Sequence, residues 1–248
     1  MLPTKEDKSV ESFDVRVVEE TGSTNDDMKT HARSSRVSRP LVLEAKHQTM
    51  GRGTRGRGWK SPEGCLAFSL LLPFSMIRVP VSLVAIAVGM GVCSALRDAG
   101  RFACIKWPND VRIGTKKVCG ILVEGFFEQE PVILSGTGVN VAQEAFPEHL
   151  RDVATSLRLE GYDVTIDEFL GHFVTALGKW MLSPVDRRET VEQLRRRSCV
   201  LGKEVTLIFP TGREEARAVD IDEQTGGLVD EQGGTRRVLT SGEVSLRF

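Results

Sequence analysis

Residues 48–60 read QTMGRGTRGRGWK, four glycines set among three arginines and closed by a tryptophan. Arginine stays charged and offers a planar fork of donors that matches carboxylate and phosphate oxygens. Glycine lets backbone N–H groups come close to an anion and form a concave nest. The string suits a loop that closes over an anionic group, with Trp59 placed to stack on a flat ring. It fits neither a P-loop, which ends in GKS or GKT, nor a dinucleotide fingerprint. On these residues alone, an RG loop with loose affinity for any polyanion stays open as well.

A second cluster is KWPNDVRIGTKKVCGILVE, residues 106–124. Lys106 precedes a rigid Trp-Pro, and Lys117 begins a strand after a tight turn. Asn109 and Asp110 add oxygen atoms at the mouth of the same turn. Lysine, carboxylate and amide together suit a nucleotide phosphate and a magnesium ion, which takes few protein oxygens and keeps most of its waters. A purely structural turn, with Trp107 filling the core, is the alternative. A third group, ETGSTN with Gln48, offers short hydroxyls and amides for the edge of a small polar ring. Taken alone, Ser23 and Thr24 read as helix caps and nothing more.

These groups need elements to hold them. Phe13–Glu20 alternates as a strand does, and GSTNDDMKTHA follows with a capping residue and with Asp26 and Asp27 in the positive first turn of a helix. Leu41–Ala45 is a short strand running into the arginine-glycine loop, and Leu66–Leu72 is another. Val79–Leu96 carries no charge over 18 residues. Its glycines, its serines and Pro80 favour a helix buried against a sheet over a membrane span, with Gly100 as a stop. Cys104–Lys106 and Val111–Ile113 flank WPND, and Gly114-Thr115 turns a hairpin into Val118–Glu124. Val132–Ser135 reads as a strand that ends in a loop, GTGVN. Thr165 and Glu168 have capping-box spacing, and apolar residues recur at helical intervals through 182. A charged helix spans about 186–197. From Gly202 the texture becomes short β-rich runs between TG, TGG and QGG turns, as in a small barrel.

The chain has 248 residues and a formal net charge of −1, so it has no global cationic field to recruit nucleic acid or an anionic membrane. Five cysteines (65, 93, 104, 119 and 199) lack a CxxC and suit free thiols in a reducing cytoplasm. The four histidines have no metal spacing, which predicts no zinc. The start, MLPTKEDKSVES, has no apolar core and does not read as a signal peptide.

In this order, STN (23–25), QTxGRG (48–53), RGRxW (55–59), KWPND (106–110), KxxGILVE (117–124), GxGxN (136–140) and SGEVSLR (241–247) resemble the bacterial biotin protein ligases, the biotin–[acetyl-CoA carboxylase] ligases. The resemblance covers residues 13–248. It implies an α+β fold, with a mixed-sheet catalytic domain of the biotin/lipoate ligase type over 13–198 and a small SH3-like β-barrel over 199–248. The implied reaction joins biotin and ATP, with Mg²⁺, into biotinyl-5′-AMP and pyrophosphate. A lysine of a biotin carboxyl carrier domain then takes the biotinyl group. Position by position, the resemblance assigns Ser23, Thr24, Asn25, Gln48, Gly51, Arg52, Lys117, Gly120, Gly136 and Gly138 to biotin. It assigns Arg52, Arg55, Arg57, Trp59, Lys106, Asn109, Lys117, Asn140 and Arg247 to the nucleotide. Arg52, Lys117, Asn109 and Asp110 take the catalytic roles, Asp110 also toward Mg²⁺.

Two departures from the family pattern stand out. Many bacterial members have a second arginine directly after GRG where this chain has Thr54, which predicts looser retention of the adenylate unless Arg55 or Arg57 substitutes. About a dozen polar residues precede the first strand, too few for the N-terminal winged helix of some members, so the expected form lacks operator binding. A lipoate or octanoate transferase of the same fold would want an apolar tunnel in place of the polar STN and Gln48 set. A nucleic-acid module would use the RG loop and the barrel, against the neutral charge. The expected state is a cytoplasmic monomer or homodimer with no membrane partner.

Overall fold

The computed structural model describes residues 6–7, 13–97, 102–128, 130–183, 186–240 and 245–247. Gly100 and the first four residues of SGEVSLR lie outside them.

Eight strands make the larger sheet: β1 (Glu6–Asp7), β2 (Asp14–Thr21), β3 (Leu41–Gln48), β4 (Cys65–Pro73), β5 (Ala103–Lys106), β6 (Asp110–Ile113), β7 (Lys116–Phe126) and β8 (Val132–Asn140), in the order β1-β2-β3-β4-β8-β7-β6-β5. The pair β2–β3 is parallel, and the other pairs are antiparallel. A parallel pair needs a crossover, and helix α1 (Thr24–Ser34) supplies it. Met28 and Ala32 of α1 pack on Leu43, Leu71 and Leu134 on one face of the sheet. Helices α2 (Val84–Arg97) and α3 (Ile166–Met181) cover the other face, where Phe68 of β4 meets Phe173 at 5.1 Å between ring centroids. Alternate residues of the central strands thus serve two cores, which is why β4 is buried from end to end.

Helix α3 carries the complete Thr165–Glu168 capping box that its sequence predicts. α2 starts later than its apolar run, because Pro80 opens a short 3-10 turn over Val81–Leu83. The expected GTGVN loop is instead the second half of β8. Its backbone pairs on both sides, Gly136 with Ser69 and Leu122, Gly138 with Ala67 and Gly120. Glycine in a strand interior marks a close approach as readily as a turn, and here the approach comes from side chains lying over the sheet.

Helix α4 (Arg187–Arg197), capped by Asp186, leads into the second sheet. Strands β9 (Glu204–Phe209), β10 (Gly212–Ile221), β11 (Leu228–Gln232), β12 (Thr235–Leu239) and β13 (Ser245–Arg247) are antiparallel in the order β12-β11-β10-β9-β13. Val205, Leu207, Ala218, Ile221 and Leu228 of this sheet belong to the same continuous apolar cluster as α2 and α3. Among the described residues, no helix is long and apolar enough to cross a membrane.

Candidate functional site

A cleft of about 440 Å³ opens where the N-terminus of α1, the C-terminal end of β3 and the middle of β7 and β8 converge. Its lining includes Ser23, Thr24, Asn25, Gln48, Arg52, Trp59, Asn109, Lys117, Gly120, Gly136 and Gly138. The three separate clusters of the sequence therefore meet in one place.

The wall nearest α1 is polar and buried. Ser23 occupies the N-cap position, yet its side chain makes no capping bond. Its Oγ is buried and without a partner, and the residue is only 2% exposed. A buried hydroxyl left unpaired is costly, and no capping bond accounts for Ser23. Gln48 Oε1 accepts from the Thr24 backbone N–H at 2.8 Å and lies 3.1 Å from Thr24 Oγ1. Gln48 Nε2 donates to Ser61 Oγ at 3.1 Å.

The floor is made of absent side chains. A Cβ on Gly138 would collide with the Trp59 indole, and one on Gly136 with the Asn25 amide. A Cβ on Gly120 would stand 2.9 Å from Lys117 Nζ and 3.0 Å from the Trp59 ring. The trough between β7 and β8 exists because these positions are glycine. Trp59, expected to lie by a nucleotide ring, rests its indole in this trough with Nε1 buried and unpaired.

The opposite wall is cationic. Lys117 Nζ donates to Asp110 Oδ1 at 2.5 Å and lies 5.7 Å from the Trp59 ring centroid. Asn109 Nδ2 donates to the Ile121 carbonyl at 2.8 Å, leaving its Oδ1 for other partners. Burial pushes the Lys106 ammonium down to about 8; Asp110 opposes that shift, while Arg112 and Lys117 add to it. Lys106 pairs with Asp110 in the β5–β6 register and is not part of the cleft lining.

The arginine-glycine string is a small hairpin. Gly53 N–H donates to the Arg57 carbonyl at 2.7 Å and Trp59 N–H to the Gly51 carbonyl at 2.8 Å. Arg52 Nε and Nη2 reach Asp26 Oδ2 at 2.9 and 2.8 Å. Arg57 Nη2 donates to Thr54 Oγ1 at 2.8 Å and its Nε to the Thr54 carbonyl at 3.2 Å. Arg57 thus spends its fork inside the loop. The side chain of Arg55 lies outside the described structure.

Some expected residues do not reach the cleft. Gly51 lies against the Trp59 backbone. Asn140 donates to the Thr155 carbonyl at 3.0 Å and accepts from Gln143, so it braces the end of β8. Arg247 is exposed on β13, paired with Thr206. Among the described residues no group of three or more His, Cys, Asp or Glu could hold a metal. Asp110 is a lone carboxylate already paired with Lys117. Three residues that shape the site, Asp26, Ser69 and Glu124, escape a reading by type because their work is done through other side chains.

Comparison with known proteins agrees with this geometry. The profile of the Biotin/lipoate A/B protein ligase family matches residues 17–140, and that of the Biotin protein ligase C terminal domain matches residues 200–247. The chain is 31% identical to the Biotin–[acetyl-CoA-carboxylase] ligase of Mycobacterium tuberculosis, over 92% of this chain and 87% of that protein. It is 32% identical to the Bifunctional ligase/repressor BirA of Bacillus spizizenii over 81% of this chain, and the match spans 64% of that longer protein. The fold matches the biotin protein ligase of Aquifex aeolicus in complex with biotin and ATP, with a TM-score of 0.79 and 30% identity, over 94% and 98% of the two chains.

Proposed function

The chain belongs to the biotin/lipoate A/B protein ligase family, and on that premise we propose that it attaches biotin to a lysine of a biotin carboxyl carrier domain, through biotinyl-5′-AMP and at the expense of ATP. One observation carries the choice of substrate. The buried, unpaired hydroxyl of Ser23 stands beside Thr24 and Gln48 in a cleft whose lining also includes Arg52 and Lys117. A polar ring with both donors and acceptors fits the first group, and a carboxylate meeting a phosphate fits the two cations. The dithiolane ring of lipoate has no N–H or C=O to offer the polar wall.

Adenylation gathers negative charge on the α-phosphate as pyrophosphate leaves. Cations fixed in advance at that point stabilise the transition state more than the ground state. Lys117, held by Asp110, and Arg52, held beside the cleft by Asp26, are placed for this. Neither step needs a nucleophilic side chain, because the biotin carboxylate and then the carrier lysine attack. Mg²⁺ would be held mainly by the ATP phosphates, with Asp110 the carboxylate available to it, and would neutralise phosphate charge. Asn109 Oδ1 and Lys106 serve the same phosphate region, and Trp59 leaves the trough to cover the ligands when they enter. Thr54 gives the lid no second cation of its own, and Arg57 is tied to it, so the adenylate is held more loosely than an arginine at that position would hold it. A catalytic unit over 13–198 and a C-terminal unit over 199–248 act together in a reducing, ATP-supplied cytoplasm.

The test is incubation with ATP, Mg²⁺, biotin and a carrier domain, followed by intact-mass measurement of the carrier. One biotinyl increment is expected. Pyrophosphate exchange that runs with lipoate and not with biotin would overturn the assignment.

A further inference from the structure

The fold sets two of the five cysteines side by side, away from the cleft. Strand β5 is one edge of the larger sheet, and the chain leaving α4 runs along that edge. Ser198 bridges Ile105 in parallel register, and the Cys199 N–H donates to the Ile105 carbonyl at 3.1 Å. This brings Cys199 beside Cys104, and the two thiols share a hydrogen bond. Both are half-buried, whereas Cys65, Cys93 and Cys119 are buried. Cys104 stands opposite Arg112 in the β5–β6 register.

Their surroundings give the two sulfurs different chemistry. The thiolate, not the thiol, is the nucleophile. The hydrogen bond from Cys199 holds the Cys104 thiol below its usual range against the effect of burial, and Arg112 and Lys203 help it. The same hydrogen bond, together with burial, holds the Cys199 thiol above that range. Burial pushes Cys65 up to about 11, Cys93 up to about 12 and Cys119 well above the ordinary value. One thiol of the five is thus disposed to attack, and its neighbour keeps a proton in contact with it.

We propose that Cys104 and Cys199 are an oxidation site, a dithiol that a hydroperoxide converts into a disulfide clamping the edge of the larger sheet to the chain entering the second sheet. The Cys104 sulfur attacks one peroxide oxygen and the O–O bond breaks. Cys104 becomes a sulfenic acid, and the departing oxygen takes up the Cys104 proton. The Cys199 sulfur then attacks the Cys104 sulfur, the S–O bond breaks, and the hydroxyl leaves as water with the Cys199 proton. The peroxide gains two electrons, and two thiols become one disulfide. Cys199 belongs to neither α4 nor β9, so bringing the sulfurs to bonding distance moves a turn and not an element. In a reducing compartment the pair rests as thiols, and the peroxide closes it.

The test treats the full chain with hydrogen peroxide, alkylates the remaining thiols after denaturation, and reads the intact mass and a peptide digest. The wild type should lose two of its five alkylatable thiols, with the Cys104 and Cys199 peptides linked and a thiol reductant separating them. Cys199→Ser should stop at a sulfenic acid on Cys104, trapped by a cyclic 1,3-dione. Cys104→Ser should keep all of its remaining thiols alkylatable. The bond closes a loop of about a hundred residues, so the oxidised protein should melt several degrees above the reduced one. Absence of the linked pair, a link to any other cysteine, or a linked protein that melts no higher overturns the proposal. If a serine variant fails to fold, the wild-type digest and melting curve decide. None of these readouts uses biotin or ATP, so their outcome is separate from the function reading.

Discussion

At the scale of single residues, charge and burial decide what each lysine can do. Lys117 is held on Asp110, which keeps its long side chain at the cationic wall. Lys117→Ala should lower adenylate formation by roughly 10²–10³-fold, the usual cost of removing one preorganised donor to developing charge, while the fold survives. Pyrophosphate exchange together with a melting curve checks this, and wild-type exchange would show that the lysine is misassigned. Lys106 differs because burial brings it down to about 8. Between that value and the ordinary lysine value, the unfolded chain binds a proton that the folded chain does not. Its burial therefore costs stability in full below about pH 8, and the cost is relieved progressively as pH rises from 8 toward the ordinary lysine value. A phosphate nearby favours the charged form and pulls the value back up. Nucleotide binding at pH 8 should accordingly take up to about half a proton from solution. Calorimetry in two buffers of different ionisation enthalpy measures the uptake, and Lys106→Met should abolish it.

At the scale of elements, the lid shows what a sequence does and does not declare. The residues of the arginine-glycine string name an anion, since few other ligands call for that composition. Their hairpin and its tie to Asp26 depend on a residue 26 positions earlier, which no local pattern reveals. The glycines of GTGVN read as a loop because local propensity is all a single segment offers. The pairing of β8 with β4 and β7 overrides it. The capping box of α3 and the buried run of α2 were legible because their signals are local and periodic. Ser69 is one polar residue in an apolar strand, and only the fold shows what it faces. The Arg52–Asp26 pair is more than a third exposed on both sides, so it contributes no more than about 1 kcal/mol. Trypsin should therefore cut within 52–60 in the ligand-free protein, and Asp26→Asn should speed that cleavage by no more than about fivefold. Biotin with ATP should slow it in both proteins. Equal cleavage with and without ligands would show that the string does not close.

Across the whole molecule, the catalytic sheet and the second sheet are joined where the site is supported. Trp107, inside the KWPND turn, donates from Nε1 to the Gly226 carbonyl at 3.1 Å. Gly226 has φ +71° and packs directly against Leu83, at the start of α2. Arg195 at the end of α4 grips Asp220 of β10 through Nε at 2.7 Å and Nη2 at 3.3 Å. The apolar cluster runs without a break from α2 and α3 into β9, β10 and β11. A shared core of this kind argues for one cooperative unfolding unit, with the turn that carries Asn109 and Asp110 dependent on the second sheet. Gly226→Ala tests that dependence, because alanine is strained at positive φ and its methyl would meet Leu83. The left-handed strain alone costs about 1–3 kcal/mol, and each kcal/mol lowers Tm by roughly 2–4 °C for a chain of this size. The variant should melt several degrees lower in a single transition, and KM for ATP should rise before global unfolding as the Trp107 anchor loosens. Two separate transitions, with the nucleotide site unaffected by the lower one, would show that the second sheet is an appendage and not a support.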